Sequence, residues 1–295
     1  MLEKAKSLIK RRINKGTVVY SILNRAYKII RYKPGCLYTF IRMQSPVLKL
    51  FGPLYHLNNK IINVDITYRC HLGCVNCSQS LGIGQAPTNE EMTIEQIQRF
   101  VQESIDNHVK WGTIRVSGGE PTLHPQFFEI LDVLLEYKQS YSPNTRIQIN
   151  TSGYGEKVKS LLSKVPNEII IINSSKESKV QLHYPFNMAP KDSILYKYAD
   201  YVNGCWIFSL CGMALTPYGY YPCTASGGID RIFGFDKGRK TLPSPDDPML
   251  DDLRLFCQFC GHFKCASFTY KALMSPTWKS GYENYKRERT RLSLY

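Results

Sequence analysis

The stretch Ile61-Ile62-Asn63-Val64-Asp65-Ile66-Thr67 runs straight into Tyr68-Arg69-Cys70-His71-Leu72-Gly73-Cys74-Val75-Asn76-Cys77. The first half is an apolar run of strand length. The second half spaces three cysteines as C-x3-C-x2-C. Three thiolates on one short loop can grip one face of an iron–sulfur cube, which takes four ligands in all. Three protein ligands leave one iron open, and an open iron is a place for chemistry. A structural zinc ion would instead require a fourth Cys or His. His71 lies between the first two cysteines and makes a poor fourth ligand.

The same strand-then-motif rhythm continues outward. Thr93 and Gln96 form a capping-box pair that opens a helix through about residue 105. Thr113–Val116 reads as a short buried strand and ends in Ser117-Gly118-Gly119-Glu120-Pro121. Residues 125–137 read as a helix, and 146–150 as a strand closed by Thr151-Ser152-Gly153. Residues 156–165 read as a helix and 168–173 as an isoleucine-rich strand. This alternation predicts an α/β fold with a parallel sheet, a partial (β/α) barrel. Barrels of this type carry their chemistry at the C-terminal ends of the strands, where each polar or glycine-rich motif here falls.

The run Cys70 to Cys77 resembles the signature loop of the radical SAM enzymes. Gly118-Gly119-Glu120-Pro121 is similar to that family's glycine-rich motif, and Asn150-Thr151-Ser152-Gly153 fits the same pattern. The resemblance covers roughly residues 60–180. It implies a [4Fe–4S] cluster on Cys70, Cys74 and Cys77, with S-adenosylmethionine (SAM) on the open iron. It implies SAM contacts from Gly118, Gly119, Glu120, Pro121, Asn150 and Ser152, with Ser175 or Lys176 meeting the methionyl carboxylate. Reductive cleavage of SAM would give a 5′-deoxyadenosyl radical that abstracts hydrogen from an unactivated carbon. One departure concerns Asn76, since the residue before the third cysteine is often aromatic in the family. No catalytic side chain is assigned.

Six of the ten cysteines fall between residues 201 and 265, amid aromatics, glycines and prolines. Cys211-x11-Cys223 and Cys257-x2-Cys260 are similar to the auxiliary-cluster region of the SPASM/twitch subgroup, in its shorter, one-cluster form. The resemblance implies an auxiliary [4Fe–4S] cluster on Cys211, Cys223, Cys257 and Cys260, with Cys205 and Cys265 spare or replacing one of them. Two pairs of thiolates also suit zinc. A fully cysteine-ligated cluster has no open site, so its role would be electron transfer: either it takes an electron from a substrate radical, which makes the net reaction an oxidation, or it passes electrons to the first cluster. Cys36 reads as a lone buried thiol. Asp230 and Arg231 read either as contacts to a polar substrate or as a surface turn with a local ion pair.

The 295 residues carry a net charge of +14, unevenly. Residues 1–60 hold 13 Lys and Arg against the single acid Glu3, and residues 61–265 are near neutral. The expected organisation is a basic amphipathic helical arm over 1–60, the partial barrel over 61–200, and a small cluster-binding domain with a basic tail over 201–295. A basic amphipathic helix suits an anionic membrane surface, or it packs on the body and leaves its charges in water. No apolar run is long enough to span a bilayer, and no secretory signal is read at the N-terminus. The expected localisation is cytoplasmic, either free or, where the arm engages lipid, peripheral at the inner membrane surface.

The leading reading is therefore an oxidoreductase-type radical SAM enzyme. Its substrate would be a small polar, lipid-linked or nucleotide-linked molecule, with a flavodoxin or ferredoxin as electron donor. A peptide-modifying maturase is the alternative, but it would call for an N-terminal peptide-recognition domain with strands, where helices are read. A zinc-stapled nucleic-acid-binding protein would explain the basic ends and leave the glycine motif without a purpose, so nucleic acid is not an expected partner.

Overall fold

The computed structural model describes residues 35–81, 86–178, 184–264, 273–289 and 291–295. The arm over residues 1–34 and Cys265 therefore lie outside the described residues. Helix α1 (Ser45–Phe51) precedes β1 (Ile61–Thr67). Three βαβ units follow: α2 (Ile94–Asp106), β2 (Thr113–Gly118), α3 (Phe127–Ser140), β3 (Arg146–Thr151), α4 (Glu156–Leu162) and β4 (Ile170–Asn173). Then come α5 (Trp206–Cys211), β5 (Met213–Thr216), β6 (Gly219–Tyr221), α6 (Thr224–Phe233), α7 (Leu250–Cys257) and α8 (Pro276–Arg287).

The capping box at α2 forms as read: the Thr93 side chain accepts from the Gln96 amide, and Gln96 returns a bond to the Thr93 N–H. The start of α3 moves from residue 125 to Phe127. Pro121–Leu123 makes a 3-10 turn first, and the His124 ring intervenes. Its Nε2 donates to Met92 O (2.8 Å), leaving Nδ1 to accept from the Gln126 amide (3.0 Å).

The strands form one six-stranded sheet in the order β4-β3-β2-β1-β5-β6. All neighbours are parallel except the β5–β6 hairpin. The composition change at residue 201 does not end the sheet, because β5 returns to pair with β1. Strand alternation sends Ile62, Val64, Ile66, Ile114, Val116, Ile147 and Ile149 into a core beneath the helices, against Phe100, Ile130, Leu131 and Leu134. The opposite face receives Asn63, Asp65, Arg115, Ser117, Gln148 and Asn150. The sheet is open, a partial barrel, and β4 is its exposed edge.

Helix α6 ties the C-terminal part to the first cysteine loop. A Cβ on Gly228 would sit 2.8 Å from Gln79 Cα and from Ser78 O, so the helix backbone packs flush on the residues after Cys77. Arg231, read as a candidate surface-turn residue, is buried there instead. It donates to Ser80 O (3.0 Å) and to Tyr285 Oη (2.7 Å). Asp230 is buried too, accepting from Tyr221 Oη (2.6 Å) and the Lys237 amide (2.9 Å). The surface-turn reading is thus corrected: both residues stand in a helix wedged between two layers, where the chain's local pattern carried no sign of the second layer. Cys36 is half-buried and disulfide-bonded, not a lone thiol.

Candidate active site

Cys70, Cys74 and Cys77 follow β1 on one loop and are free thiols. Burial pushes Cys70 up to about 11 and Cys74 up to about 12, and the neighbouring thiolates push in the same direction. The three sulfurs therefore feel one another, and the Lys176 ammonium acts against that on Cys74. A bound metal centre reverses such shifts and holds the thiolate form. The loop is pinned from several sides. His71 Nε2 donates to Tyr154 O (3.0 Å), and its ring stacks on Tyr154 at 5.6 Å. Asn76 is buried with φ of 56°, a left-handed conformation that Asn tolerates. Its Oδ1 accepts from the Asn187 amide (3.2 Å). Backbone geometry thus gives asparagine a reason to stand where the family often has an aromatic residue.

The glycine motif packs directly on the root of that loop. Gly118 has φ of +126°, and a Cβ there would lie 2.2 Å from Thr67 O. A Cβ on Gly119 would lie 2.1 Å from Arg69 O and 3.0 Å from Cys70 Cβ. Only glycine allows this approach, which lets the Gly119 and Glu120 amides donate to Thr67 O and Arg69 O (2.8 and 2.9 Å). Pro121 is buried in the following turn.

Glu120, read by resemblance as a SAM contact, is fully buried and accepts four hydrogen bonds. Oε1 takes the hydroxyls of Thr122 (3.0 Å) and Thr151 (2.8 Å). Oε2 takes the amide (2.9 Å) and hydroxyl (2.6 Å) of Ser152. The carboxylate is a staple between the ends of β2 and β3. Of the remaining candidates, Asn150 is half-buried on the open face and Ser152 is buried. Lys176 is half-buried, its amide bonded to Ser152 O (2.9 Å). Ser175 is exposed with φ of 45°, its amide held by Asn173 Oδ1.

The second cysteine set assembles with Cys205 among the buried thiols, one of the replacements the resemblance had left open. Cys205, Cys223, Cys257 and Cys260 are buried and free, and line one apolar cavity with Phe208, Ile229 and Phe256. Burial raises all four thiols, Cys205 to about 12, and the charges of Cys205 and Cys223 add to the rise at Cys257 and Cys260. Cys211 does not line the cavity. It ends α5, whose start follows Cys205. Six residues of helix turn the chain by about 600°, so the two side chains point to different sides and stand roughly 9 Å apart along the axis. The Cys211 sulfur meets Arg115, and its charge still reaches Cys205 and Cys223.

Among the described residues no three Cys, His, Asp or Glu side chains close on a single ion. One tetrahedral zinc would draw its sulfurs to about 3.8 Å of each other, as follows from a Zn–S bond near 2.3 Å. A cube binds each thiolate at a separate iron and needs the wider arrangement.

Residues 64–171 match the profile of the Radical SAM superfamily. This segment is a radical SAM domain. Molybdenum cofactor biosynthesis protein 1 of Drosophila melanogaster is 31% identical over 91 residues, 31% of this chain and 15% of that protein. A GTP 3',8-cyclase of Aliarcobacter butzleri is 28% identical over 108 residues, 37% of this chain and 30% of that protein. The match to these relatives therefore spans under a third of their length. Among solved structures, BtrN in complex with AdoMet and 2-DOIA aligns with a TM-score of 0.38 at 16% identity, covering 68% of this chain and 83% of that one. Streptococcus suis SuiB bound to precursor peptide SuiA aligns with a TM-score of 0.37 at 13% identity, covering 74% and 72%.

Radical SAM domains use a [4Fe–4S] cluster and SAM, and the residues at the head of this sheet fit both. The three free thiols of loop 70–77 supply an incomplete ligand set. His71 is not free to complete it, because its Nε2 is committed to Tyr154 O.

Sequence reasoning missed the polar face below the loop. Asp65 is fully buried, takes bonds from Ser117 Oγ (2.7 Å) and Gln79 Nε2 (2.8 Å), and is pushed by burial up to about 7. Arg115 lies beside it on β2, its Nε donating to Gln148 Oε1 (3.1 Å). The alternation Ile-Asn-Val-Asp-Ile, with a polar residue at every second position, was the available signal.

Proposed function

We propose that this chain is a radical SAM enzyme with two iron–sulfur clusters. In this reading it abstracts hydrogen from a small polar, nucleotide-linked or lipid-linked substrate in a net oxidation. One observation carries the reading: the thiols come in two separately placed sets, three at the head of the sheet and four in a closed apolar cavity. Cys70, Cys74 and Cys77 hold the SAM-binding cluster. Cys205, Cys223, Cys257 and Cys260 hold the auxiliary cluster, with Cys205 replacing Cys211 in the set that the resemblance implied. When bound, the first cluster and SAM supply hydrogen-atom abstraction. The second, closed to substrate, serves electron transfer.

The protein's own groups do the positioning. Glu120 holds the Ser152 main chain in place, and Gly118, Gly119 and Pro121 bring backbone up to the cysteine loop. Asn150, Ser152, Ser175 and Lys176 stand within the same loop cluster, with Lys176 on the thiol side to receive a carboxylate. The relatives named GTP 3',8-cyclase act on GTP, which agrees with a small anionic substrate. A peripheral membrane position is supported by Leu50, Phe51, Ile194, Leu195 and Tyr198. They are exposed on two segments joined by the Ser45–Tyr198 backbone bond and the Phe40–Tyr196 ring contact. Leu50 and Phe51 belong to the basic first sixty residues. No described helix is long and apolar enough to cross a membrane.

Anaerobic purification tests the assignment. Two clusters require about eight iron and eight sulfide per chain. Cys74→Ala abolishes 5′-deoxyadenosine formation. Cys205→Ala loses about half the iron, whereas Cys211→Ala keeps all of it. Zinc without sulfide defeats the reading, and iron loss in Cys211→Ala with none in Cys205→Ala defeats the second ligand set.

A further inference from the structure

The open face of the sheet holds a cation whose charge no ion pair among the described residues answers. Arg115 lies mid-strand on β2, in register with Asn63 of β1 and Gln148 of β3. It is half-buried and turned away from the helix layer. Its Nε is fixed by Gln148, while the Cys211 thiol lies beside the guanidinium. Every ion pair among the described residues involves another arginine or lysine: Arg69, Arg99, Lys159, Arg239, Arg254 or Arg289. Asp65, one pleat further along, is the carboxyl on the neighbouring strand. Both its oxygens are taken by Ser117 and Gln79, and burial drives it toward its neutral form. It neither pairs with Arg115 nor strongly repels an incoming anion.

A partly desolvated guanidinium without a counter-charge is costly, and its fork matches the paired oxygens of a carboxylate or phosphate. The surroundings suit a ligand. Asn150 follows Gln148 on the same face and is half-buried. In the adjacent register Ile170 and Ile172 of the edge strand are 42% and 48% exposed, an apolar flank on the same side. Along β2, Gly118 stands three residues beyond Arg115, about 10 Å at 3.3 Å per residue. A charge held at Arg115 would leave the rest of a small molecule reaching toward the glycine motif and the cysteine loop.

We propose that Arg115, oriented by Gln148, is the anchor of an oxyanion subsite on the open face of the sheet. The substrate of the radical SAM enzyme proposed above then bears a phosphate or carboxylate group. This rests on that functional reading for the word substrate, but the binding site itself stands or falls separately.

Cys211 provides the readout, because an anion on Arg115 covers its thiol. The cluster-loaded protein is treated anaerobically with iodoacetamide, and alkylation of Cys211 is followed by peptide mass spectrometry. Inorganic phosphate, succinate and chloride at matched ionic strength form the three arms. Protection equals 1 + [L]/Kd, so about 10 mM of a ligand with Kd of about 5 mM slows labelling about threefold. Slowing by phosphate alone assigns a phosphate-bearing substrate, and slowing by succinate alone a carboxylate-bearing one. The ratio of protected to unprotected rates falls to one in Arg115→Gln and is partly kept in Arg115→Lys. Using that ratio removes any change in the intrinsic reactivity of the thiol. The same rate in all three arms, or undiminished protection in Arg115→Gln, overturns the subsite. Labelling needs no turnover. Failure to form 5′-deoxyadenosine in a parallel assay would count against the enzymatic reading and leave the binding result intact.

Discussion

Replacing Glu120 tests whether the glycine motif is held to the third strand by a single carboxylate. In Glu120→Ala four donors lose their acceptor at once: the hydroxyls of Thr122, Thr151 and Ser152 and the Ser152 amide. The site is fully buried, so water does not replace the carboxylate freely. Each buried group left unsatisfied costs about 1–3 kcal/mol. Hydroxyls can rotate to other partners, and single substitutions seldom exceed 4–5 kcal/mol. The expected loss is therefore roughly 3–5 kcal/mol. Glu120→Gln keeps the shape. Its amide oxygen can stay toward Ser152, where the backbone N–H cannot reverse its role. The new NH2 then faces two hydroxyls that can turn to accept. What is lost is the charge assistance, about 1–2 kcal/mol. At roughly 2–4 °C per kcal/mol for chains of this order of size, thermal melting of the anaerobic protein should drop by about 6–20 °C in the alanine variant and about 2–8 °C in the glutamine variant. Hydrogen exchange at 151–153 should accelerate in the same order. An alanine variant that melts within about 2 °C of the wild type would refute the staple.

Three further outcomes follow from the geometry. Asp65 is pushed from 3.8 up to about 7 in the fold, so the folded state binds its proton more tightly than the unfolded chain does. Stability is then lost as pH rises from about 4 to about 7; comparing melts at pH 5 and pH 8, Asp65→Asn should gain roughly 2–3 kcal/mol relative to the wild type, and parallel pH profiles would contradict this. Gly119→Ala places a Cβ 2.1 Å from Arg69 O. It should displace the cysteine loop and lose about half of the iron, and full iron content by metal analysis would count against that packing. The full chain should bind anionic vesicles at low salt and release as salt screens the basic segment, with weaker binding in Phe51→Glu. No sedimentation with such vesicles at low salt would remove the membrane position.

Much of the fold was legible because the signals were local. The apolar alternation of Ile61–Thr67, the capping box at Thr93 and the glycine run after β2 each specify backbone behaviour within a few residues, and each formed where it was read. The start of α3 was misplaced by two residues, because a histidine ring two positions upstream took over the turn before it. Pro125 had suggested an earlier start. At the site, the three loop cysteines and the glycine motif were legible by type and order.

What the sequence determined by itself is a β/α succession carrying thiols and glycines at strand ends, since strand period, capping and left-handed turns are short-range properties of the chain. Only the tertiary structure decided that β5 pairs with β1, that Cys205 and not Cys211 joins the buried thiols, and that Glu120 binds across to Ser152. It alone placed Arg231 in the interior and left Arg115 on the open face without an ion pair among the described residues. These depend on which side chains meet across tens to more than a hundred residues of chain or on opposite sides of a helix. Spacing along a sequence does not encode which face a neighbouring layer will cover.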